Sequence, residues 1–435
     1  MQLEVMREYF GEYQSVGRFS DTGSSAPAFA YSEEYLLKAE AQPLSLSLPL
    51  RYQSFDNVQY QGFFEGLVPE GRVRTELAYR LQVSQSDYLA LLQHLSFENI
   101  GALLFIDETN EGAESLEPHY QPLPQATLTD LMERPVQTSA LLATEGRFSL
   151  AGAQSKIGVY IQANELATNV QSNDWFLPVG TAPSSHIIKI PDSEHAELPL
   201  NEVFCMMTAK ECGVNAAEVA LGSFRGRNYF IAKRFDRLLD ESVIMIDDMP
   251  RPQRLHQEDL CQALGWPSYR KYEIEENDNY VAIIGRLLER GSSDAIRDKV
   301  SFARQIIFDY LIGNCDNHIK NFSLLSSRDW RERRLAPAYD IVSTTVMNYS
   351  HAMGMAIGNS RAIDSITQED WLLFTQDLRM PRDLFMDTLT GVASAFESAC
   401  IAAKEQLVEF DEHATLEKII ANAFPRYNLL LSVDF

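Results

Sequence analysis

Three residues have the clearest chemical spacing: Asp316, Asn321 and Asp340. The first two share the stretch DNHIKNF (316–322), and Asp340 follows in PAYDI (337–341). A carboxylate, an amide five positions later and a second carboxylate in a later segment are what phosphoryl transfer asks of a protein. One carboxylate orients a hydroxyl nucleophile and accepts its proton; the amide oxygen and the other carboxylate hold Mg²⁺ against the phosphates. Taken singly each has a bland reading, since Asn and Asp after a helix form turns and a His beside a helix end is usually structural. The joint pattern favours the chemistry.

Such chemistry also needs a cation on the nucleotide phosphates and a cover for them. Lys189, central in HIIKI (186–190), is the lysine candidate, and Glu202 in the following helix is its natural ion-pair partner. A glutamate near a helix N-terminus is equally a solvated residue that favours the dipole. The cover is Ser149 to Lys156, SLAGAQSK, with one glycine and two alanines. It lacks the G-x-G-x-x-G pattern, yet small residues still let backbone N–H groups approach phosphate oxygens.

The elements that must position these residues divide into three stretches, expected as domains 1–140, 141–255 and 256–435. In the first, LSLSL (44–48) alternates as a half-buried strand should, YLALLQHL (88–95) reads as a helix and ALLFI (102–106) as a buried strand. The polar, Glu- and Pro-rich stretch 108–129 reads as a loop. In the second, 147–161 reads as strand, turn, strand. HIIKI and YFIAK (229–233) read as strands, and NEVFCMMTAKEC (201–212) as a helix ended by Gly213. Beyond Glu258 the pattern is helical: 259–264, 280–290, 302–311, 371–378, 382–409 with breaks, and 415–424. Strand-rich followed by helical sequence predicts an α+β, two-lobed fold with an all-helical C-terminal lobe.

The chain has 435 residues, with Lys+Arg at 37 and Asp+Glu at 61, a net charge of −24. A surface so negative repels a phosphate backbone, which excludes a free-standing nucleic-acid binder. Five scattered cysteines without a C-x-x-C pair exclude a disulfide framework and the common zinc patterns. No apolar run approaches a membrane span, and the start lacks a signal peptide's features. A soluble cytoplasmic protein is expected, with no membrane partner.

Several segments together resemble the HipA family of serine/threonine kinase toxins from HipA–HipB toxin–antitoxin systems. They are FSLAGAQSK (148–156), HIIKIP (186–191), RFDR (234–237), QEDLCQALG (257–265), DNHIKNF (316–322) and LAPAYDIVS (335–343). QPLSLSLPL (42–50), FFEGLVP (63–69) and NIGA (99–102) resemble the family's N-terminal subdomain, so the similarity covers nearly the whole chain. The D-x-H-x-x-N order also resembles atypical and lipid-type kinases more than the H-R-D of ordinary protein kinases.

The resemblance implies a protein-kinase-like fold with an extra N-terminal α/β subdomain, and ATP and Mg²⁺ as cofactors. Asp316 would be the catalytic base, and Asn321 and Asp340 the metal ligands. Ala151, Gly152, Ala153, Gln154, Ser155 and Lys156 would form the phosphate loop, with Lys189 on the phosphates and Glu202 its ion-pair partner. Lys233, Arg234 and Phe235 would be the adenine hinge. His318, Ile319, Lys320, Asn321, Tyr339 and Asp340 would complete the nucleotide site. Ser149 would be autophosphorylated to switch the enzyme off. Implied partners are a HipB-like helix-turn-helix antitoxin, operator DNA through that complex, and an aminoacyl-tRNA synthetase as substrate, glutamyl-tRNA synthetase in the family. Alternatives are a small-molecule kinase of the aminoglycoside or choline type, in which His usually precedes the catalytic Asp, and an idle antitoxin-binding co-repressor. Metal-dependent hydrolysis leaves Lys189 and the Ser149 loop without a role.

Overall fold

The computed structural model describes residues 2–21, 27–107, 117–162, 174–239, 244–274, 278–347, 349–411 and 413–433. The chain folds into two compact units, each assembled from separate stretches of sequence. One comprises Met1–Glu194, Gly222–Ser268 and Leu325–Glu332; the other comprises His195–Leu221, Tyr269–Leu324 and Arg333–Phe435.

The first unit begins with a sheet of order β3-β2-β1-β4, built from β1 (Gln2–Tyr9), β2 (Glu12–Ser20), β3 (Ala28–Tyr31) and β4 (Leu103–Asp107). Its inward side chains, Leu3, Val5, Phe19 and Phe29, meet Phe63 and Phe64 of α1 (Asn57–Glu65). Helices α2 (Gly71–Leu81), α3 (Tyr88–His94), α4 (Gln125–Glu133) and α5 (Pro135–Gly146) continue the layer. A second sheet runs β5-β7-β6-β8-β10-β9. Its strands are β5 (His119–Pro122), β6 (Lys156–Ile161), β7 (Trp175–Val179), β8 (His186–Lys189), β9 (Val219–Phe224) and β10 (Arg227–Lys233). Ile157, Val159, Ile188 and Ile231 of that sheet belong to the same apolar cluster as Leu3 and Phe29. One core therefore serves both sheets.

Beside that core lies a buried ionic network. Glu98 accepts from Arg234 at 2.8 Å, Arg237 at 3.0 Å and Arg254 at 2.7 Å, and from the Ser184 hydroxyl at 2.7 Å. Asp236 accepts from Arg234, Arg237 and the Gly101 N–H. Glu8 of β1 accepts from Arg251 and Arg254, which both also reach the Tyr13 hydroxyl. None of these seven charged side chains is more than 5% exposed. Desolvation alone would raise the Glu98 carboxyl; Arg237, Arg254 and Arg234 overcome it and hold the group well below the usual range.

Four local expectations change. LSLSL is a turn with a Ser45–Leu48 bridge rather than a strand. Its serine hydroxyls donate to Glu258 and to the Gln262 carbonyl, while the Tyr31 hydroxyl ties Leu44 to Leu48. Side-chain capture of backbone groups here outweighs period-two alternation. Of the expected loop 108–129, residues 108–116 lie outside the described residues. The remainder carries β5 and opens α4 after Pro124, because β5 completes a sheet edge against β7. Only β6 forms within 147–161; the segment before it is extended and bridges Glu98 and Pro69.

The fourth change concerns the second unit. Its helices are α6 (Leu198–Glu211), α7 (Tyr280–Gly291), α8 (Ala295–Ile312), α9 (Gln368–Asp377), α10 (Arg382–Leu407) and α11 (Thr415–Leu431). α10 runs without the expected breaks and packs on α6 and α8. Residues 256–435 are nevertheless not all helical, since strands Ala352–Ile357 and Ser360–Ala362 pair as a hairpin. Met353 and Met355 point one face of it into the interior. Asp294 caps α8, and Gly313, at φ +83°, ends it in the left-handed region glycine adopts without strain. Among the described residues no helix is long and apolar enough to cross a membrane.

Removing one partner from a buried ionic group strands the others, at a cost of about 3–5 kcal/mol. Glu98→Gln should lose about that much in urea denaturation, whereas Glu34→Gln, in an exposed pair with Lys38, should change stability by less than about 0.5 kcal/mol. Equal effects would show that the network does not hold the first unit together.

Candidate active site

The expected site residues fall into two groups, one in each unit. In the first unit, Phe148 and Gly152 bridge to Glu98 and Pro69, and the Glu70 N–H donates to the Gly152 carbonyl at 3.0 Å. Gly152 has φ +109°, and the place of its missing Cβ is 2.6 Å from the Lys156 ammonium. The left-handed backbone, rather than that movable lysine tip, is what favours glycine here. That ammonium donates to the Ala151 carbonyl at 2.6 Å. Ala153 is exposed, Gln154 half-buried and Ser155 buried. Ser149 is fully buried; its hydroxyl donates to the Leu67 carbonyl at 2.7 Å and its N–H to the Glu98 carbonyl.

β6 and β8 pair antiparallel with Lys156 opposite Lys189. Directly opposed residues point to one face, so the two half-buried lysines leave the same face of the sheet beside the small-residue loop. The Lys189 ammonium also stands 4.8 Å above the Phe230 ring. Both lysines are expected phosphate contacts, and pairing them is the work of the sheet register.

The hinge residues behave unequally. Lys233 and Phe235 are half-buried. The Arg234 guanidinium is committed to Asp236, Glu98, Ser184 and the Asn99 carbonyl. As a side chain it is a structural cation rather than a nucleotide contact; only its backbone could serve a hinge.

In the second unit, the loop after α8 exposes one side chain between buried neighbours: Asp316. The Asp316 carbonyl accepts from the His318 N–H and from Asn321 Nδ2, both at 2.8 Å. With Nδ2 so committed, Asn321 presents Oδ1 as its remaining acceptor. Asn317 Oδ1 accepts from the Gly354 N–H at 2.8 Å, and a Cβ on Gly354 would lie 2.6 Å from the His318 nitrogen. The hairpin strand thus approaches the loop as only glycine allows. His318 is buried, and desolvation takes its imidazole down to about 4 despite the opposing Asp316 charge, so it is neutral near pH 7. Ile319 is wholly buried, leaving only its backbone to meet a ligand, and Lys320 is largely buried.

Asp340 is held in a segment bridged to Ala216 through Ala338. Its φ of +56° is left-handed, a strained choice outside glycine that recurs at functional sites. The Tyr339 hydroxyl donates to the Lys320 carbonyl at 2.8 Å and meets the Ser323 hydroxyl at 2.6 Å. Thr344 joins the two loops: its hydroxyl accepts from the Cys315 N–H and donates to the Gly313 carbonyl. Asp316, Asn321 and Tyr339 are therefore joined through hydrogen bonds of the two loops, and Asp340 directly follows Tyr339 in the chain. Glu202 is buried in the N-terminal half of α6, while Lys189 belongs to the first unit.

Sequence reasoning missed three contributors. Thr344 and Tyr272, whose hydroxyl donates to Asp316 Oδ1 at 2.6 Å, carry no motif. Asp309 reads as one more polar residue in α8, yet it is completely buried, and desolvation lifts its carboxyl to about 8 against the opposing Asn314 hydrogen bond.

The family model described as HipA-like C-terminal domain matches residues 148–400, more than half of the chain, and the one described as HipA N-terminal domain matches 9–106. This chain belongs to the HipA family. The protein Y4mE of Sinorhizobium fredii is 33% identical over 389 residues, 88% of each chain. The serine/threonine-protein kinase toxin HipA of Shewanella oneidensis is 27% identical over 383 residues, 85% of this chain and 83% of that protein. Among solved structures, HipA in the complex of Shewanella oneidensis HipA, HipB and operator DNA superposes with a TM-score of 0.79 at 24% identity, covering 99% of each chain. The chain therefore has the HipA fold, a mixed α and β architecture.

Asp309 carries a pH signature. Between the ordinary aspartate value of 3.8 and about 8, it is protonated when folded and ionised when unfolded. Unfolding then releases a proton, so rising pH through that window favours the unfolded state. Asp309→Asn, which keeps the oxygen facing Asn314, should gain stability relative to wild type as pH rises from 5 to 8 in urea titrations. A pH-independent difference would show that Asp309 is ionised in the folded protein.

Proposed function

We propose that this HipA-family chain is an ATP- and Mg²⁺-dependent serine/threonine protein kinase acting as the toxin of a toxin–antitoxin pair. The observation that carries the reading is the loop of the second unit. It exposes the Asp316 carboxylate, commits Asn321 Nδ2 to the Asp316 carbonyl so that Oδ1 remains as the amide's acceptor, and is tied through Tyr339 and Thr344 to the Asp340 segment. Asn321 and Asp340 offer the hard oxygen donors that Mg²⁺ takes, and the metal supplies neutralisation of the phosphate charge. The Lys156–Lys189 pair and the loop around Gly152 hold the nucleotide phosphates, and Lys233 to Phe235 receive the adenine through their backbone. Asp316 accepts the proton of the acceptor hydroxyl. We keep the functional parts at 1–140, 141–255 and 256–435.

Family membership supports the partners we propose: a HipB-like antitoxin, operator DNA reached through it, and an aminoacyl-tRNA synthetase as protein substrate. Action in the cytoplasm, with growth arrest and persistence as its result, belongs to the same reading. The net charge of −24 favours an antitoxin that makes most phosphate contacts in such a complex. We further propose that Ser149 is autophosphorylated as an off-switch. A phosphate adds about −1.5 to −2 charges, which the buried pocket under the Leu67 carbonyl cannot hold. The segment must then leave its bridges to Glu98 and Pro69, and the phosphate loop leaves with it.

Asp316→Asn should lower phosphoryl transfer by about 10²–10⁴-fold and abolish growth arrest while leaving the fold intact. Asp340→Asn should abolish transfer and weaken Mg·ATP binding more than Asp316→Asn does; Asn tolerates the left-handed backbone, so the loss reports the charge. Growth arrest by soluble Asp316→Asn protein overturns the assignment. For the switch, mass spectrometry should find phosphate on Ser149 of the wild type and none on Asp316→Ala protein, with ATP bound well only by the unphosphorylated form. Equal ATP affinity of both forms would refute the switch and leave the kinase reading standing.

A further inference from the structure

The Asp316 backbone is held from three sides, by Asn314 Oδ1 on its N–H and by His318 and Asn321 on its carbonyl. Its exposed carboxylate is held differently. Among the described residues, its one hydrogen bond is from the Tyr272 hydroxyl to Oδ1, at 2.6 Å.

Tyr272 is itself fixed. The Lys271 carbonyl accepts from the Ile319 N–H, tying the tyrosine segment to the Asp316 loop. The Tyr280 hydroxyl bonds the carbonyls of Arg270 and Tyr272, at 2.8 and 3.2 Å. The Glu273 N–H donates to the Gly354 carbonyl, while its buried carboxylate accepts from the N–H groups of Tyr280 and Ala356. The Tyr272 ring stands edge-on to His318, with centroids 5.0 Å apart at 78°. A side chain on backbone pinned at consecutive residues, with its ring against a buried wall, is built to hold a position rather than to swing as a lid.

We propose that Tyr272 is a positioning residue for phosphoryl transfer, holding Oδ1 of Asp316 so that Oδ2 faces the acceptor hydroxyl. The inference rests on Asp316 being the base. In the step, the acceptor oxygen bonds to the γ-phosphorus as its proton passes to Asp316 Oδ2. The bond from that phosphorus to the β–γ bridging oxygen breaks and ADP leaves; Tyr272 keeps its proton. An exposed aspartate without such a partner samples several rotamers, and only those aimed at the acceptor are productive.

The test is Tyr272→Phe, which removes the hydroxyl and keeps the ring against His318. Full-length proteins are compared for transfer from γ-labelled ATP into a desalted bacterial extract, alone and combined with Asp316→Asn. Tyr272→Phe should lower the maximal rate about 10-fold with KM for ATP and calorimetric Mg·ATP affinity unchanged. Added to Asp316→Asn it should cost nothing further, because its effect passes through that carboxylate. A wild-type rate for Tyr272→Phe, or the same 10-fold loss on the Asp316→Asn background, overturns the proposal with the base assignment intact. Wild-type transfer by Asp316→Asn removes the base and the proposal together. Should Tyr272→Phe lose its native melting transition, Tyr280→Phe is the control. It frees the segment while leaving the hydroxyl on Asp316, and a lower rate from it at unchanged KM supports the positioning role; an unchanged rate refutes it.

Discussion

The buried charges around Glu98 are the constraint on which the first unit depends. A carboxylate taken out of water must be compensated completely, and Glu98 meets that demand with three guanidinium groups and a serine hydroxyl. Those partners come from the end of β10, from the segment before Gln257 and from the residues before β8. None of them can move without leaving a charge stranded. Arg254, which bonds both Glu98 and Glu8, carries the network to β1, so both sheets share one ionic junction beside one apolar core.

That junction also governs the loop over Gly152. Glu98 uses its side chain for the network and its carbonyl to accept the Ser149 N–H, while the Phe97 N–H donates to the Arg147 carbonyl. The loop over Gly152 thereby begins at the most rigidly determined residue of the unit. At its other end the register of β6 and β8 sets Lys156 beside Lys189.

The second unit solves a different problem, presenting one carboxylate to solvent from a loop that is otherwise buried. Backbone hydrogen bonds, the close approach of Gly354 and the Thr344 hydroxyl fix the loop from below. Burial keeps His318 neutral and Asp309 protonated beneath it near pH 7.

Much of this was legible in the residues alone. Asp316, Asn321 and Asp340 stand out by type and spacing, and helices such as α6, α7 and α8 are read from the sequence before the structure places them. The strands HIIKI and YFIAK were equally plain, since short β-branched runs bounded by Pro or charge have few other solutions. What failed was local: LSLSL alternates like a strand, but Tyr31, Glu258 and Gln262, distant in sequence, capture its polar groups and make it a turn. The Arg234 guanidinium is bound to Glu98 and Asp236, a commitment its sequence neighbours do not reveal. Pairing Lys156 with Lys189, bringing Tyr272 to Asp316 and sealing Asp309 from water all depend on contacts between segments far apart in the chain. Residue type and spacing decide which chemistry is available; burial and long-range hydrogen bonds decide which groups are free to perform it, because the energy of a charge depends on what surrounds it.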